Sequence, residues 1–172
     1  MEYIATLPYT KYGDKQIAIY DAQDEQAGFI QRYYKNIFDK LFHYIPIFFL
    51  HKTNIYGESD GVKIKFVERS FKDNLKKLKW DVLVNDEPHY LEDKTKIATN
   101  IRMVYHKGDK QYIFKKDMLN NVCEVVNESE QSVCAEIILK KRIPAIVKVR
   151  KKSDALTLPE LLGVYFMIYL VY

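Results

Sequence analysis

The chain has 172 residues, of which 48% are hydrophobic and 29% charged, and its net charge is +4. This length and composition fit an ordinary soluble protein with one hydrophobic core, so we predict a single domain over residues 1–172. The mildly basic charge permits contact with anionic lipid or nucleic acid and argues for neither.

The N-terminal half predicts short β-strands separated by polar turns. The predicted strands cover residues 3–7, 16–20 and 27–34, and a hairpin covers residues 56–66 around a turn at 57–61. Within the hairpin Val62, Ile64 and Phe66 alternate with lysines, so they should share one face. We interpret residues 37–50 as one or two strands, with a short helix as the alternative at their start. Residues 69–79 predict a long loop or a short helix.

The C-terminal half returns to the strand pattern. The predicted strands cover residues 79–84, 96–106, 110–116, 122–126, 133–139 and 143–150. Alternation in the second of these predicts one shared face for Ile97, Thr99, Ile101, Met103 and Tyr105. In the last strand, basic residues alternate with valines, which places Lys148 and Arg150 on the face opposite to the valines.

The final segment predicts a helix over residues 157–172. Thr157 is a suitable N-cap, Pro159 fits the first turn, and Glu160 stands three residues after Thr157, as in a capping box. From Leu161 onward no side chain is charged, and the apolar residues occupy every side of the helix. A helix of this kind is buried, either inside a protein or in a membrane. Gly163 would let a strand approach the helix closely.

The Ile17–Asp21 strand with its following turn, the Trp80–Val84 strand and the Leu156–Tyr172 helix occur in an order that resembles the tubby-like superfamily. This superfamily includes the tubby C-terminal domain, the plant LURP-one-related proteins and the phospholipid scramblases. The resemblance covers the whole chain and is greatest to small bacterial tubby-like proteins. It implies a mainly β fold, in which a barrel of about ten to twelve antiparallel strands encloses the C-terminal helix as its core.

The resemblance also limits the expected chemistry. It implies no catalytic residues and no cofactor. The scramblase calcium-binding segment has no counterpart here, because Glu58–Gly61 forms only a hairpin turn, so calcium dependence is not implied. The phosphoinositide ligands of tubby cannot be placed residue by residue on this sequence.

The residues themselves give little support to metal or catalytic sites. His43, His51, His89 and His106 are scattered and form no zinc-binding pair, and Cys123 and Cys134 lack a zinc spacing. Two cysteines are too few for a disulfide scaffold, so we expect free thiols in a reducing compartment. The first ten residues carry Glu2 and no long apolar run, unlike a signal peptide. We therefore expect a cytoplasmic protein.

The main charge feature is a run of seven cations without an intervening acid. These residues are Lys140, Lys141, Arg142, Lys148, Arg150, Lys151 and Lys152. The run is interpreted either as solvated strand faces and turns or as a patch for anionic lipid phosphates. Nucleic acid is not expected, because no recognition module is present and acids are scattered through the rest of the chain.

Three functions remain open from the sequence. The first is a non-enzymatic module that binds membrane phospholipid head groups, peripheral at the inner membrane face and with an unknown protein partner. The second is a tail-anchored membrane protein that inserts residues 156–172. Seventeen residues are at the short edge of the spanning range of about 17–25, although the preceding cations would satisfy the positive-inside rule. The third is a small enzyme or ligand carrier with a cavity in the barrel.

Overall fold

The computed structural model describes residues 1–8, 13–35, 53–70, 72–74, 77–142 and 144–172. The strands or helix predicted over residues 37–50 lie outside these ranges. Of the predicted loop or helix at 69–79, the described residues before Lys79 form turns and irregular structure.

The described chain forms a closed antiparallel barrel of twelve strands, which confirms the predicted fold class. Each strand pairs with its neighbours in sequence, and the barrel closes where Glu2 lies opposite Arg150 and Leu7 opposite Ala145. The elements are β1 (Glu2–Leu7), β2 (Gln16–Tyr20), β3 (Gln26–Tyr33), β4 (Asn54–Ser59), β5 (Val62–Glu68), β6 (Lys79–Val84), β7 (Glu87–Asp93), β8 (Asn100–Lys107), β9 (Lys110–Asp117), β10 (Val122–Asn127), β11 (Ser132–Arg142), β12 (Ala145–Lys151) and the helix α1 (Leu158–Val171).

Two details of the strand prediction were wrong. No strand was predicted at Glu87–Asp93, a segment that contains Pro88 and three acids, which are residue types depleted in strands. In the barrel this segment is hydrogen-bonded on both sides, to β6 and to β8. The strand predicted from Lys96 begins only at Asn100, because the amide of Asn100 donates to the carbonyl of Ile97 at 2.8 Å and closes a turn. Ile97 and Thr99 are therefore exposed, whereas Ile101, Met103 and Tyr105 are buried.

The alternation within the other strands follows the sequence pattern. On β5, Ile64 and Phe66 are fully buried while the lysines between and before them are exposed. On β12, Val147 and Val149 are fully buried, whereas Lys148 between them is partly exposed and Arg150 after them is exposed. One apolar face per strand thus lines the interior of the barrel, as expected for a period of two residues.

Helix α1 fills that interior. The predicted capping box is present: the Thr157 amide donates to Glu160 Oε2 at 2.6 Å, and the Glu160 amide donates to Thr157 Oγ1 at 3.4 Å. All residues from Leu158 to Ile168 are buried, on every side of the helix. This confirms that the barrel encloses the helix. Of the helices in the described ranges, none has the length and apolarity needed to cross a membrane.

Gly163 sets the distance between helix and barrel wall. A Cβ atom at this position would lie 2.3 Å from Cε2 of Phe66 on β5. Real Cβ atoms do not come this close, so the ring of Phe66 occupies the space that any other residue would need. The expected close approach of a strand side chain at Gly163 is thus observed.

The start of α1 carries a fully buried carboxylate. Glu160 Oε1 accepts a hydrogen bond from the Tyr105 hydroxyl at 2.8 Å and forms an ion pair with Lys107 Nζ at 2.9 Å. Together with the Thr157 amide, these contacts supply the partners that a charge needs inside a protein. Burial, and secondarily the charge of Glu160, raises the pKa of Tyr105 well above its usual range, so this phenol stays a donor.

The connections between elements lie in two sets at opposite ends of the barrel. The tight-turn end, where α1 begins, contains the connections at residues 21–25, 60–61, 85–86, 108–109, 128–131 and 152–157. The long-loop end, where α1 ends, contains the described residues of the other connections, which are 8, 13–15, 34–35, 53, 69–70, 72–74, 77–78, 94–99, 118–121 and 144. Every described residue with positive φ lies at the tight-turn end: Asp24, Asp60, Gly61, Asn85, Asp86, Gly108 and Gln131.

Candidate functional site

The seven cations of the sequence run are not brought together on one surface. β11 and β12 run in opposite directions, and a short connection joins them at the long-loop end. Lys140 is exposed near that end, and residues 141 and 142 complete β11 there. Lys151 and Lys152 lie at the tight-turn end, and Lys148 and Arg150 lie on the outer face between the two ends. Adjacency in sequence therefore does not become a single patch.

Four of these cations are bound to carboxylates. Lys148 Nζ and Arg150 Nε lie 2.6 Å and 2.8 Å from the two carboxylate oxygens of Glu2 on the neighbouring strand β1. Their hydrogen bonds, first that of Lys148 and then that of Arg150, lower the pKa of Glu2. Lys151 pairs with Asp154 at 3.0 Å and Lys152 with Glu136 at 2.6 Å. Glu2 and Glu136 come from the strands on either side of β12, so the sequence run alone could not show this compensation.

A stronger electrostatic feature is the difference between the two ends of the barrel. The connections of the tight-turn end contain nine acids and one cation, namely Asp21, Asp24, Glu25, Asp60, Asp86, Asp109, Glu128, Glu130, Asp154 and Lys152. The described residues of the long-loop connections contain two acids and seven cations, namely Asp14, Asp73, Lys15, Lys35, Arg69, Lys72, Lys77, Lys94 and Lys96. Over the described connections, one end of the barrel is thus acidic and the other basic.

Some cations of the long-loop end are held by neighbours. Arg69 pairs with Asp81 at 2.7 Å, and Lys94 pairs with Glu92 at 2.9 Å. Others project into solvent. Lys72, Lys96 and Lys140 are exposed, and no carboxylate of the described chain forms an ion pair with them. These exposed ammonium groups are available to an anionic partner.

The described histidines have structural contacts. His106 lies 3.1 Å from Glu92 Oε1 and stacks on Tyr90 with ring centroids 3.9 Å apart. His89 faces inward and meets Tyr105 edge to face. His43 and His51 lie outside the described residues. Among the residues that the structure describes, no three His, Cys, Asp or Glu side chains are grouped to hold a metal ion.

The sequence also contains one catalytic-type pattern that the predictions above did not include. Residues 57–61, Gly-Glu-Ser-Asp-Gly, fit the Gly-x-Ser-x-Gly pattern of serine hydrolases. That pattern marks a nucleophile only where a strand turns into a helix and exposes the serine. Here Ser59 is the last residue of β4 in a hairpin, it is buried, and its hydroxyl donates to the Ala27 carbonyl at 2.7 Å. The arrangement makes Ser59 a link between neighbouring strands.

The interior offers little space for the proposed enzyme or carrier, because α1 and the strand side chains occupy it. A depression of about 500 Å³ does occur on the outside of the long-loop end. It is lined by Lys35, Val67, Glu68, Arg69, Ser70, Asp73 and Asp81. It is open and polar, unlike the mostly apolar clefts that usually bury small ligands.

Comparison with known proteins gives one match. The model of a protein family described as "Tubby C-terminal like domain" matches residues 3–172, almost the whole chain. No curated protein and no solved structure matches the sequence.

Proposed function

The chain belongs to the Tubby C-terminal like domain family, and on this basis we propose that it is a non-enzymatic module that binds anionic phospholipid head groups. In this proposal the long-loop end of the barrel faces the membrane and the acidic tight-turn end faces away from it. The protein would act in the cytoplasm, as a peripheral protein at the inner face of the membrane.

The observation that carries the proposal is the separation of charge along the barrel. A cation close to an anionic membrane contributes about 1 kcal/mol to binding, and this contribution fades within a Debye length of about 8–10 Å. The strands have five to eleven residues, and a strand of six or seven residues is roughly 20 Å long. The acids of the tight-turn end would therefore be screened from a membrane that contacts the long-loop end. The overall charge of +4 understates the attraction at that end.

The same reasoning divides the predicted lipid patch. Lys140 is exposed at the long-loop end and belongs to the proposed surface, and residues 141 and 142 follow it in the same strand. Lys148, Arg150, Lys151 and Lys152 are paired with carboxylates. We propose that these four contribute little to lipid binding, because their charges are already compensated.

The test is sedimentation with phosphatidylcholine vesicles that contain or lack phosphatidylserine, at low and high salt. The informative variant carries Lys96→Glu and Lys140→Glu at the long-loop end. Its matched control carries Lys63→Glu and Lys110→Glu, two exposed lysines at the tight-turn end. Both variants change the net charge by the same amount. They differ in where the charge is reversed, and also in that Lys110 faces Glu130 at 3.8 Å, an exposed ion pair of little energetic weight.

We expect the wild-type protein to sediment with the anionic vesicles, and less so at high salt. The long-loop variant should bind at least about tenfold more weakly, since two charges near the surface are reversed. The control should bind within about threefold of the wild type, because its substitutions lie beyond the screening distance. Equal loss in both variants would contradict the proposed orientation, and no binding by the wild type to either kind of vesicle would refute the function.

A further inference from the structure

The most exposed apolar side chains of the described barrel, apart from Met1, lie together at the long-loop end. Leu119 is 97% exposed, Ile97 66% and Met118 64%. The same end contains Tyr172, which is 40% exposed at the end of α1. Single exposed apolar residues are common on proteins, but a group of them indicates an interaction surface.

Met118 and Leu119 form the tip of an ordered turn. The Asn120 amide donates to the Asp117 carbonyl at 3.0 Å, which places Met118 and Leu119 at the two central positions of a β-turn. The flanks are also fixed: Asn120 Oδ1 accepts from the Val122 amide at 2.9 Å, and Asp117 pairs with Arg102 at 2.9 Å. The turn is thus built without any contribution from its two apolar side chains.

The residue types at this tip are unusual. The central positions of β-turns favour Gly, Pro, Asn, Asp and Ser, which satisfy or tolerate turn conformations. Asn120 and Asn121 follow directly, so the chain has suitable turn residues at hand. Folding does not explain a Met and a Leu held in water at the outermost point of the turn, since neither one packs against the core.

The tip of the neighbouring connection lies beside it. The Met118 amide donates to the Thr99 carbonyl at 2.9 Å, which joins the connection after β9 to the one before β8. That second connection carries Ile97 at its own turn, with Lys94 and Lys96 on its flank. The two tips thus form one rim, called the apolar rim below, that consists of Ile97, Met118 and Leu119.

We propose that the apolar rim inserts into the hydrocarbon edge of an anionic bilayer while the surrounding lysines bind the head groups. This inference rests on the proposed function and adds the part of the molecule that enters the membrane. The positive charge around the rim favours an anionic bilayer as the partner, because the rim lies at the end whose described connections carry seven cations and two acids. Apolar side chains framed by cations match a layer in which hydrocarbon lies directly beneath phosphate.

The first experiment uses the same vesicles with a variant that carries Met118→Ser and Leu119→Ser. Serine is accepted in turns, so the turn should persist. The matched control carries Ile4→Thr and Tyr20→Thr, an exposed apolar pair on neighbouring strands away from the rim. We expect the rim variant to bind the anionic vesicles at least about ten- to a hundredfold more weakly, since the loss of even one of its two large apolar side chains from the membrane has an effect of this size. The control should match the wild type, with thermal melting showing that both variants are folded.

The second experiment places a fluorescent reporter in the rim. Trp80 is the natural tryptophan of the chain and is fully buried, so Leu119→Trp adds a second emitter at the membrane-facing tip. On binding to anionic vesicles its emission should shift to the blue, and lipids brominated on their acyl chains should quench it. In Ile4→Trp, the control, neither change should occur.

The outcomes separate this inference from the function on which it rests. If the serine variant binds as well as the wild type, or Leu119→Trp is not quenched, head groups alone hold the protein and the inference is wrong while the proposed function stands. If the wild-type protein ignores all vesicles, both fail. If the serine substitutions instead abolish self-association or the capture of another protein, the rim is a protein interface and the membrane inference is overturned.

Discussion

At the tight-turn end of the barrel, three connections have only two residues, and left-handed backbone conformations at Asp60, Asn85 and Gly108 close them. At the other end several connections have more residues, for example six between β7 and β8 and four between β9 and β10. The acids and the capping box of α1 lie at the first end, and the cations and the exposed apolar side chains at the tips of two turns lie at the second. One end of this barrel is shaped mainly by the needs of folding. The other carries features that folding does not require, and the proposed membrane-binding surface rests on them.

Helix α1 connects the two ends and is attached differently at each. Its first turn is held by a buried ionic network around Glu160. Its last turn is held by two hydrogen bonds from neutral donors. The Tyr169 hydroxyl donates to the Pro8 carbonyl at 3.0 Å, and the Tyr172 hydroxyl donates to Asp93 at 2.7 Å. A buried charge is costly to leave unpaired, whereas a half-exposed hydroxyl can return to water. We therefore expect stability to depend more on the tight-turn end.

The largest effect should come from removing the element that both ends share. A chain that ends at residue 155 lacks α1 and would expose the apolar lining of the barrel, so we expect insoluble protein. The milder change Phe166→Ala should cost about 3–5 kcal/mol, because Phe166 is 1% exposed in a packed interior. That is a large share of the roughly 5–15 kcal/mol stability of a domain. Urea denaturation measures the second change, and a soluble, cooperatively melting truncation would contradict the role of α1 as the core.

The sequence predicted this part of the fold well, for a clear physical reason. A capping box followed by a run without charge specifies where α1 begins and that it must be buried, and alternation identifies strands such as β5 and β12. β7 was missed because pairing with β6 and β8 stabilises it despite its acids and Pro88. Local propensity does not include that contribution.

The candidate site was much harder to predict. The sequence contains seven cations close together, which suggested one patch. Because β11 and β12 form an antiparallel hairpin, these residues lie at different positions along the length of the barrel. The pairing of Lys148 and Arg150 with Glu2 joins residues almost 150 positions apart. In the sequence, the charge difference between the ends is present only as an alternation along the chain: every second connection is rich in acids, and the connections between them are rich in cations. It becomes visible once the strand order is known, and then the exposed tips at 97 and 118–119 fall within the basic end.

The second effect tests the tight-turn end alone. Glu160→Gln should destabilise the protein by about 3–5 kcal/mol, because it leaves Lys107 partly buried without its counter-charge. Adding Lys107→Met should recover part of this loss, since the unpaired cation is removed. Denaturant midpoints of the single and double variants measure the coupling. The exposed Glu128→Gln at the same end serves as the control and should change stability by no more than about 0.5 kcal/mol. If Glu160→Gln behaves like the control, the buried network contributes nothing to stability.

The third effect tests the long-loop end. Tyr172→Phe removes the hydrogen bond to the buried carboxylate of Asp93 and should cost about 1.5–3 kcal/mol, the range for hydrogen bonds to a charged group. Burial raises the pKa of Tyr172 to about 12, above the usual value of 10. The native phenol therefore keeps its proton longer than the unfolded one, so its contribution is complete below pH 10 and is lost as the pH rises towards 12. The Tyr172→Phe variant should lose less stability than the wild type over this range. Identical pH profiles would exclude a role for this phenol.

The smallest effect concerns the turns that define the tight-turn end. Asn85 and Asp86 have φ values of 47° and 69°, the two left-handed positions of a type I′ hairpin, for which Asn-Gly is a preferred sequence. Asp86→Gly creates that sequence and should raise the free energy of unfolding by about 0.5 kcal/mol. The glycine removes the strain of a left-handed backbone at Asp86, and this gain outweighs the added conformational entropy of the unfolded chain.

Asp109→Gly is the matched control, because it removes the same charge from a neighbouring turn of the same end where φ is not positive. There the glycine only adds unfolded-state entropy, so stability should fall by about 0.5–1 kcal/mol. Urea midpoints that move in opposite directions would attribute the effect to backbone conformation. If the urea midpoints of both variants rise, the gain in stability comes instead from reduced repulsion among the nine acids of this end. The acidic end would then be destabilised by electrostatic repulsion as well as by backbone strain.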